Sequence, residues 1–179
     1  MSMEEKVCCF IGHRRIAEKE QLREKLYQMI EKLILYKHVT TFLFGSKSEF
    51  DSLCLTVVTK LKEKYPQIQR IYIRAEFPYI TDDYQAYLLQ SYDDTYYPNR
   101  ILNAGRAVYV ERNFIMIDQS DFCVIYYHET NQPTEGKHKS GTKIAYEYAQ
   151  KKEKIIIQTA NDENRQNAQN NSIEARFFV

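Results

Sequence analysis

The chain has 179 residues, and 25 Lys and Arg against 24 Asp and Glu leave a formal net charge of +1. That length suits one domain with enough core to need neither metal nor disulfide staples. The 44% apolar and 27% charged content is that of a globular chain rather than a disordered one. Balanced charge argues against a protein that coats a nucleic-acid backbone, and no apolar run approaches the roughly 20 residues that span a bilayer. The start, MSMEEKVCCFIGHRR, puts an acidic pair before a short apolar run with no cleavage-site pattern. A signal peptide is therefore not expected, and a cytoplasmic location is.

Val7 to Ile11 reads as a buried strand. Over residues 18–36, Leu22, Leu26, Met29, Ile30 and Leu33 fall at helical intervals between charges. Val39 to Phe44 is a second strand, rich in β-branched and aromatic residues. A helix from Phe50 to Lys64 must stop at Tyr65-Pro66, because proline disfavours a helical residue before it. Gln69 to Arg74 alternates as a third strand. In the irregular stretch 77–100, Thr81-Asp82-Asp83 reads as a helix start continued by Tyr84, Tyr87 and Leu88. A helix over 105–119, a strand from Phe122 to Tyr127 and a polar loop from His128 to Ser140 follow. A helix from Thr142 to Lys152 and a fifth strand, Ile155 to Gln158, complete the alternation.

The expectation is an α/β fold: one Rossmann-like domain over residues 1–158, a doubly wound parallel sheet of about five strands with helices on both faces. Residues 159–179, crowded with Asn, Gln and Asp, are expected to form a mobile polar tail. Cys8, Cys9, Cys54 and Cys123 contain no CxxC pair and read as free core thiols. No metal and no cofactor is expected.

In doubly wound folds ligands bind beyond the carboxyl ends of the strands, where strand order reverses. The loops there hold unusual residues. Gly12-His13-Arg14-Arg15 offers a close backbone approach and two guanidinium forks, or simply a turn followed by solvated cations. Gly45-Ser46-Lys47-Ser48 leads into a helix start whose free N–H groups favour anions, although Ser48 with Asp51 also fits an N-capping pattern. Lys137-His138-Lys139-Ser140-Gly141-Thr142 repeats the arrangement before a later helix. Together these turns make a candidate phosphate or ribose site. Glu111, Phe114, Ile115 and Asp118 share one helical stripe, with Arg112 and Asn113 close by. Its carboxylates suit ribose hydroxyls or acid–base work, or pairing with Arg106 or Arg112. Tyr92, Tyr96 and Tyr97 cluster where they would stack on a purine or pack in the core.

Cys8-Cys9-Phe10-Ile11-Gly12-His13-Arg14, then Arg112-Asn113 with Met116-Ile117-Asp118 and Ser120-Asp121, then Ser140-Gly141-Thr142 with Glu147-Tyr148-Ala149, together resemble the SLOG superfamily. Its members include the DNA-processing protein A fold, the Lonely-Guy phosphoribohydrolases and the YpsA-like proteins. Over residues 6–158 the order and spacing are most similar to the YpsA-like branch. The resemblance implies a Rossmann-like fold that binds nucleotides or NAD-derived molecules at the carboxyl rim of the sheet. It places Gly12 and Arg14 against the ligand, Gly45 and Ser46 in a second turn, Arg112 and Asn113 reaching in from a helix, and Gly141 and Thr142 around a phosphate. Glu147 matches the acidic position of the YpsA-like helix.

Two departures matter. Relatives carry a Gly-Gly-Ala-x-Gly-x-Asp run where this chain has one glycine and Lys47. The phosphoribohydrolases place a glutamate three residues after their Gly-Thr threonine; here that position is Ala145, and Glu147 lies two further on. Two residues turn a helix by about 200°. The expected function is therefore binding of a nucleotide-derived small molecule, such as an ADP-ribose-like or cyclic nucleotide, for sensing or sequestration. The alternative is a nucleotide N-glycosidase or phosphoribohydrolase using Glu147 or Glu111. A homo-oligomer is expected by analogy with other Rossmann-like domains.

Overall fold

The apolar run at the start of the chain forms β1 (Lys6–Gly12) at the centre of a six-stranded parallel sheet. The computed structural model describes residues 2–102, 105, 107–128 and 139–160. Successive side chains of a strand face opposite ways, and β1 shows the consequence. Cys8 and Phe10 join a core under α1 (Lys19–Lys37) and α2 (Glu49–Lys64), whereas Cys9 and Ile11 join one under α4 (Ala107–Asp118) and α5 (Gly141–Lys151). The Phe10 ring lies 5.9 Å from Phe42 and 5.0 Å from Phe44 of β2 (Val39–Phe44). Burial of each such ring contributes about 2–3 kcal/mol. The four cysteines are buried free thiols.

Local chemistry sets the helix ends. α2 stops before Tyr65-Pro66, as the proline requires. Thr81 caps α3 (Asp82–Leu88), its hydroxyl accepting from the Tyr84 N–H at 3.2 Å. Ser140 caps α5 in the same way, accepting from Lys143 N–H at 3.1 Å.

The strand order is β4-β3-β2-β1-β5-β6, with every pair parallel. From β1 the chain steps outward through β2, β3 (Gln69–Ile73) and β4 (Asp94–Tyr96). α4 then returns it to β5 (Phe122–Tyr126), on the other side of β1, and β6 (Ile155–Gln158) follows. Strand order therefore reverses between β1 and β5.

The sixth strand, β4, lies in the stretch read as irregular. Three residues are too few to show an alternation, and the pairing comes from β3, where Ile71 faces Asp94 and Ile73 faces Tyr96. The Asp93 carboxylate fixes the entry to β4 by accepting from the Arg70 backbone N–H at 2.8 Å and its Nε at 3.0 Å. Thr159 and Ala160, assigned to the tail, are buried, and Thr159 N–H donates to Ile125 O at 2.9 Å. The rest of that segment, 161–179, lies outside the described residues, as do Lys137, His138 and Arg106. No described helix is long and apolar enough to cross a membrane.

Candidate functional site

At the carboxyl ends of β1, β2 and β3 lies a cleft of about 800 Å³. Every ligand-site residue expected from the sequence except Asp118 lines it: Gly12, His13, Arg14, Gly45, Ser46, Lys47, Arg112, Asn113, Ser140, Gly141 and Thr142. α4 returns antiparallel to the strands, so Arg112 and Asn113, midway along it, reach the cleft, whereas Asp118, its last residue, lies at the opposite rim. There the Asp118 carboxylate accepts from the Tyr148 hydroxyl at 2.8 Å, and Tyr148 stacks on Phe114. Glu111 and Glu147 do not line the cleft; Glu147 pairs with Lys139 at 2.7 Å. Of the tyrosines set aside for purine stacking, Tyr92 lies against Phe44 and Tyr72, and Tyr96 donates to Gln119. Neither Tyr92, Tyr96 nor Tyr97 lines the cleft.

Two glycines owe their identity to protein atoms. A Cβ on Gly12 would collide with the Phe50 side chain of α2, and one on Gly45 would sit 2.7 Å from both Arg112 Nε and Met116 Sδ. The strand-end turns are thus tight because a helix presses on each from inside the fold. Gly141 differs, with open space where its Cβ would be. The N–H groups of Gly141 and Thr142, in the first turn of α5, have no intrahelical acceptor, and the helix dipole adds partial positive charge beside them.

Most of the donors expected of the turn after β2 are already taken up inside the protein. The Asp51 Oδ2 accepts from Gly45 N–H at 3.1 Å and Ser46 N–H at 2.9 Å, and Ser46 Oγ accepts from Ser48 N–H. Glu49 N–H donates to Arg14 O, and Asp51 N–H to Ser48 Oγ. Only half of the expected capping pattern forms: Ser48 caps α2, while the Asp51 carboxylate turns inward to hold the loop. Asp51 is 2% exposed and its Oδ1 has no hydrogen-bond partner among the described residues. Burial raises its pKa to about 6, against the opposing pull of the two N–H donors and the Arg112 charge.

Arg112 is 5% exposed. It donates to the Gly45 carbonyl oxygen through Nη1 and, at 3.2 Å, to Asn113 Oδ1 through Nη2. The guanidinium carbon stands 5.7 Å from the centre of the Tyr109 ring. No carboxylate among the described residues lies within ion-pair distance of it. Burial lowers its pKa, opposed by the Asp51 carboxylate, but a guanidinium stays charged. Arg14, Lys47 and Arg74 join it in the lining, where Glu76 is the sole carboxylate among the described residues. Glu76 is itself engaged by the Tyr109 hydroxyl. A nearly neutral chain has thus gathered cations in one cleft.

His13 closes the β1 side. Its Nε2 accepts from the His128 N–H at 2.9 Å, which leaves the proton of the neutral ring on Nδ1. Burial lowers its pKa. The His128 ring stacks on it at 6.2 Å and shares a 2.8 Å hydrogen bond with the Tyr126 hydroxyl, which accepts from Ala17 N–H.

Sequence reasoning missed the wall supplied by β3 and the segment after it: Tyr72, Arg74, Glu76, Phe77 and Tyr84. The signal was available in part, since Arg74 to Phe77 follows a strand and the same rim rule applies to it.

No family model and no curated protein matches the sequence. Solved structures do match in three dimensions. DNA processing protein A from Helicobacter pylori, described for its single-stranded DNA binding mode, superposes with a TM-score of 0.56 at 16% identity, covering 96% of this chain and 73% of that one. The molybdenum cofactor carrier protein from Chlamydomonas reinhardtii superposes with a TM-score of 0.55 at 14% identity, covering 96% of this chain and 86% of that one. At these identities the likeness establishes a shared Rossmann-like fold.

Proposed function

We propose that this chain is a SLOG-type binding protein, similar to the YpsA-like branch, whose cleft takes an anionic, nucleotide-derived small molecule. The observation that carries the reading is Arg112, a buried guanidinium in the cleft lining without a carboxylate partner among the described residues. Burial penalises the Arg112 charge more than the Asp51 carboxylate and its other neighbours favour it, and an anionic ligand group offsets that cost. Arg14 and Lys47 add charge from exposed positions at the mouth, and the start of α5 adds N–H donors suited to phosphate oxygens. The volume suits a ligand of nucleotide size. By their descriptions one structural neighbour binds single-stranded DNA and the other carries the molybdenum cofactor, so the fold serves ligand binding in both. The expected glycosidase carboxylates, Glu147 and Glu111, lie outside the lining, so binding is the better supported reading.

The test is retention. Protein is incubated with a mixed pool of nucleotides, NAD, ADP-ribose and cyclic nucleotides, freed of unbound material, denatured, and its retained compounds identified by mass spectrometry. The expected result is one phosphate-bearing compound in stoichiometric amount, lost from an Arg14→Ala/Lys47→Ala variant of unchanged stability. Retention of nothing, or equal retention by that variant and by Arg112→Gln, overturns the site.

A further inference from the structure

The lining of the cleft divides chemically along the sheet. The start of α5 stands on the β5 side, whereas Tyr72, Phe77 and Tyr84 come from β3 and the segment after it, with Tyr109 added by α4. We propose that this aromatic wall is a nucleobase subsite with Phe77 as its principal stacking ring, an assignment that rests on the reading of the cleft as a nucleotide site.

Phe77 is the strongest sign. Its backbone sits at φ 60°, a left-handed conformation that is costly for a bulky residue, and its side chain is 61% exposed. Burial therefore does not explain an aromatic ring at this position. The conformation is held from behind, where Arg74 Nη1 donates to the Phe77 carbonyl oxygen at 3.1 Å. Tyr109, 42% exposed, is held by its hydroxyl's hydrogen bond to Glu76, with the Arg112 guanidinium beside its ring. Tyr84 lies parallel to Tyr87 at 6.2 Å, and Tyr72 packs on Tyr92 at 5.0 Å. Rings fixed by contacts inside the protein lose little freedom when a ligand arrives. A stacked base adds affinity whatever its hydrogen-bonding edge, so the wall separates base-bearing ligands from bare sugar phosphates. A free nucleotide and a single strand both present that chemistry.

Titration calorimetry with AMP, ribose 5-phosphate and a single-stranded oligodeoxyadenylate tests the subsite in wild type, Phe77→Ala, Phe77→Tyr and Tyr84→Leu. The expected result is AMP binding about tenfold or more tightly than ribose 5-phosphate. Phe77→Ala should abolish that preference without changing ribose 5-phosphate affinity, and Phe77→Tyr should keep it. Phe77-dependent binding of the oligonucleotide in excess of AMP supports the subsite and assigns the base to a strand; weaker binding than AMP supports it and assigns the base to a free nucleotide. Equal affinity for AMP and ribose 5-phosphate in wild type, or a preference that survives both Phe77→Ala and Tyr84→Leu, overturns the subsite and leaves the anion site standing. Binding of none of the three overturns both.

Discussion

Asp51→Asn tests whether the loop that shapes the cleft is held by a strained charge. In the wild type the Asp51 carboxylate is buried, and its pKa rises from 3.8 to about 6. The folded state therefore holds the proton more tightly than the unfolded chain does. This contribution to stability is fully present below pH 3.8 and is lost as pH rises through 6. Roughly two pKa units at 1.36 kcal/mol each amount to about 3 kcal/mol. Asparagine keeps the acceptor for the Gly45 and Ser46 N–H groups and removes the titration, but places an amide NH₂ where Oδ1 has no partner. An unsatisfied donor costs about 1–3 kcal/mol at all pH values, so the absolute stability of the variant is the less informative quantity. The informative one is the difference between variant and wild type across pH. Urea unfolding at half-unit intervals from pH 4 to 8 should show that difference moving in favour of Asp51→Asn by about 2–3 kcal/mol between pH 4 and 6.5, then levelling. A flat difference across that range, or one moving toward the wild type, would refute the reasoning. It would mean that the two N–H bonds and the Arg112 charge outweigh burial.

Gly45→Ala should lower stability by about 1–3 kcal/mol, because its Cβ displaces Arg112 and Met116; chemical denaturation matching wild type would show that the guanidinium moves aside freely. His13 should appear in ¹⁵N NMR as the neutral Nδ1–H tautomer, titrating below the ordinary 6.5. Since burial depresses that pKa, the His13 contribution to stability is present above pH 6.5 and is lost as pH falls, and His13→Gln should flatten that part of the stability profile. Ser140→Ala removes the cap on Lys143 N–H and should cost about 1 kcal/mol, with faster hydrogen exchange at the start of α5 and unchanged exchange in α2.

How far the sequence reaches can be judged from particular elements. Val39–Phe44 was legible to the residue, because a run of β-branched and aromatic side chains bounded by a histidine and a glycine is a local signal. The Tyr65-Pro66 stop and the helix start at Thr81 were legible for the same reason: the chemistry that ends or starts a helix lies within a few residues. β4 was not, since three residues at a sheet edge carry no period and owe their conformation to β3. Asp118 shared a stripe with apolar residues whether it served a ligand or Tyr148, and only the direction of α4 separates the two.

Alternating periods and turn residues were thus enough to determine a doubly wound parallel sheet and the rim where the cleft opens, because both follow from interactions between near neighbours and from the handedness of the chain. Tertiary structure alone decided what the rim contains. It set Arg112 against the carbonyl of Gly45 across 67 residues, spent the N–H groups of Gly45 and Ser46 on Asp51, and brought Phe77 and Tyr109 to the same cleft. Those outcomes depend on strand order and on burial by residues distant in the chain, and the charge state of a buried group is a property of its surroundings, which no local window of sequence contains.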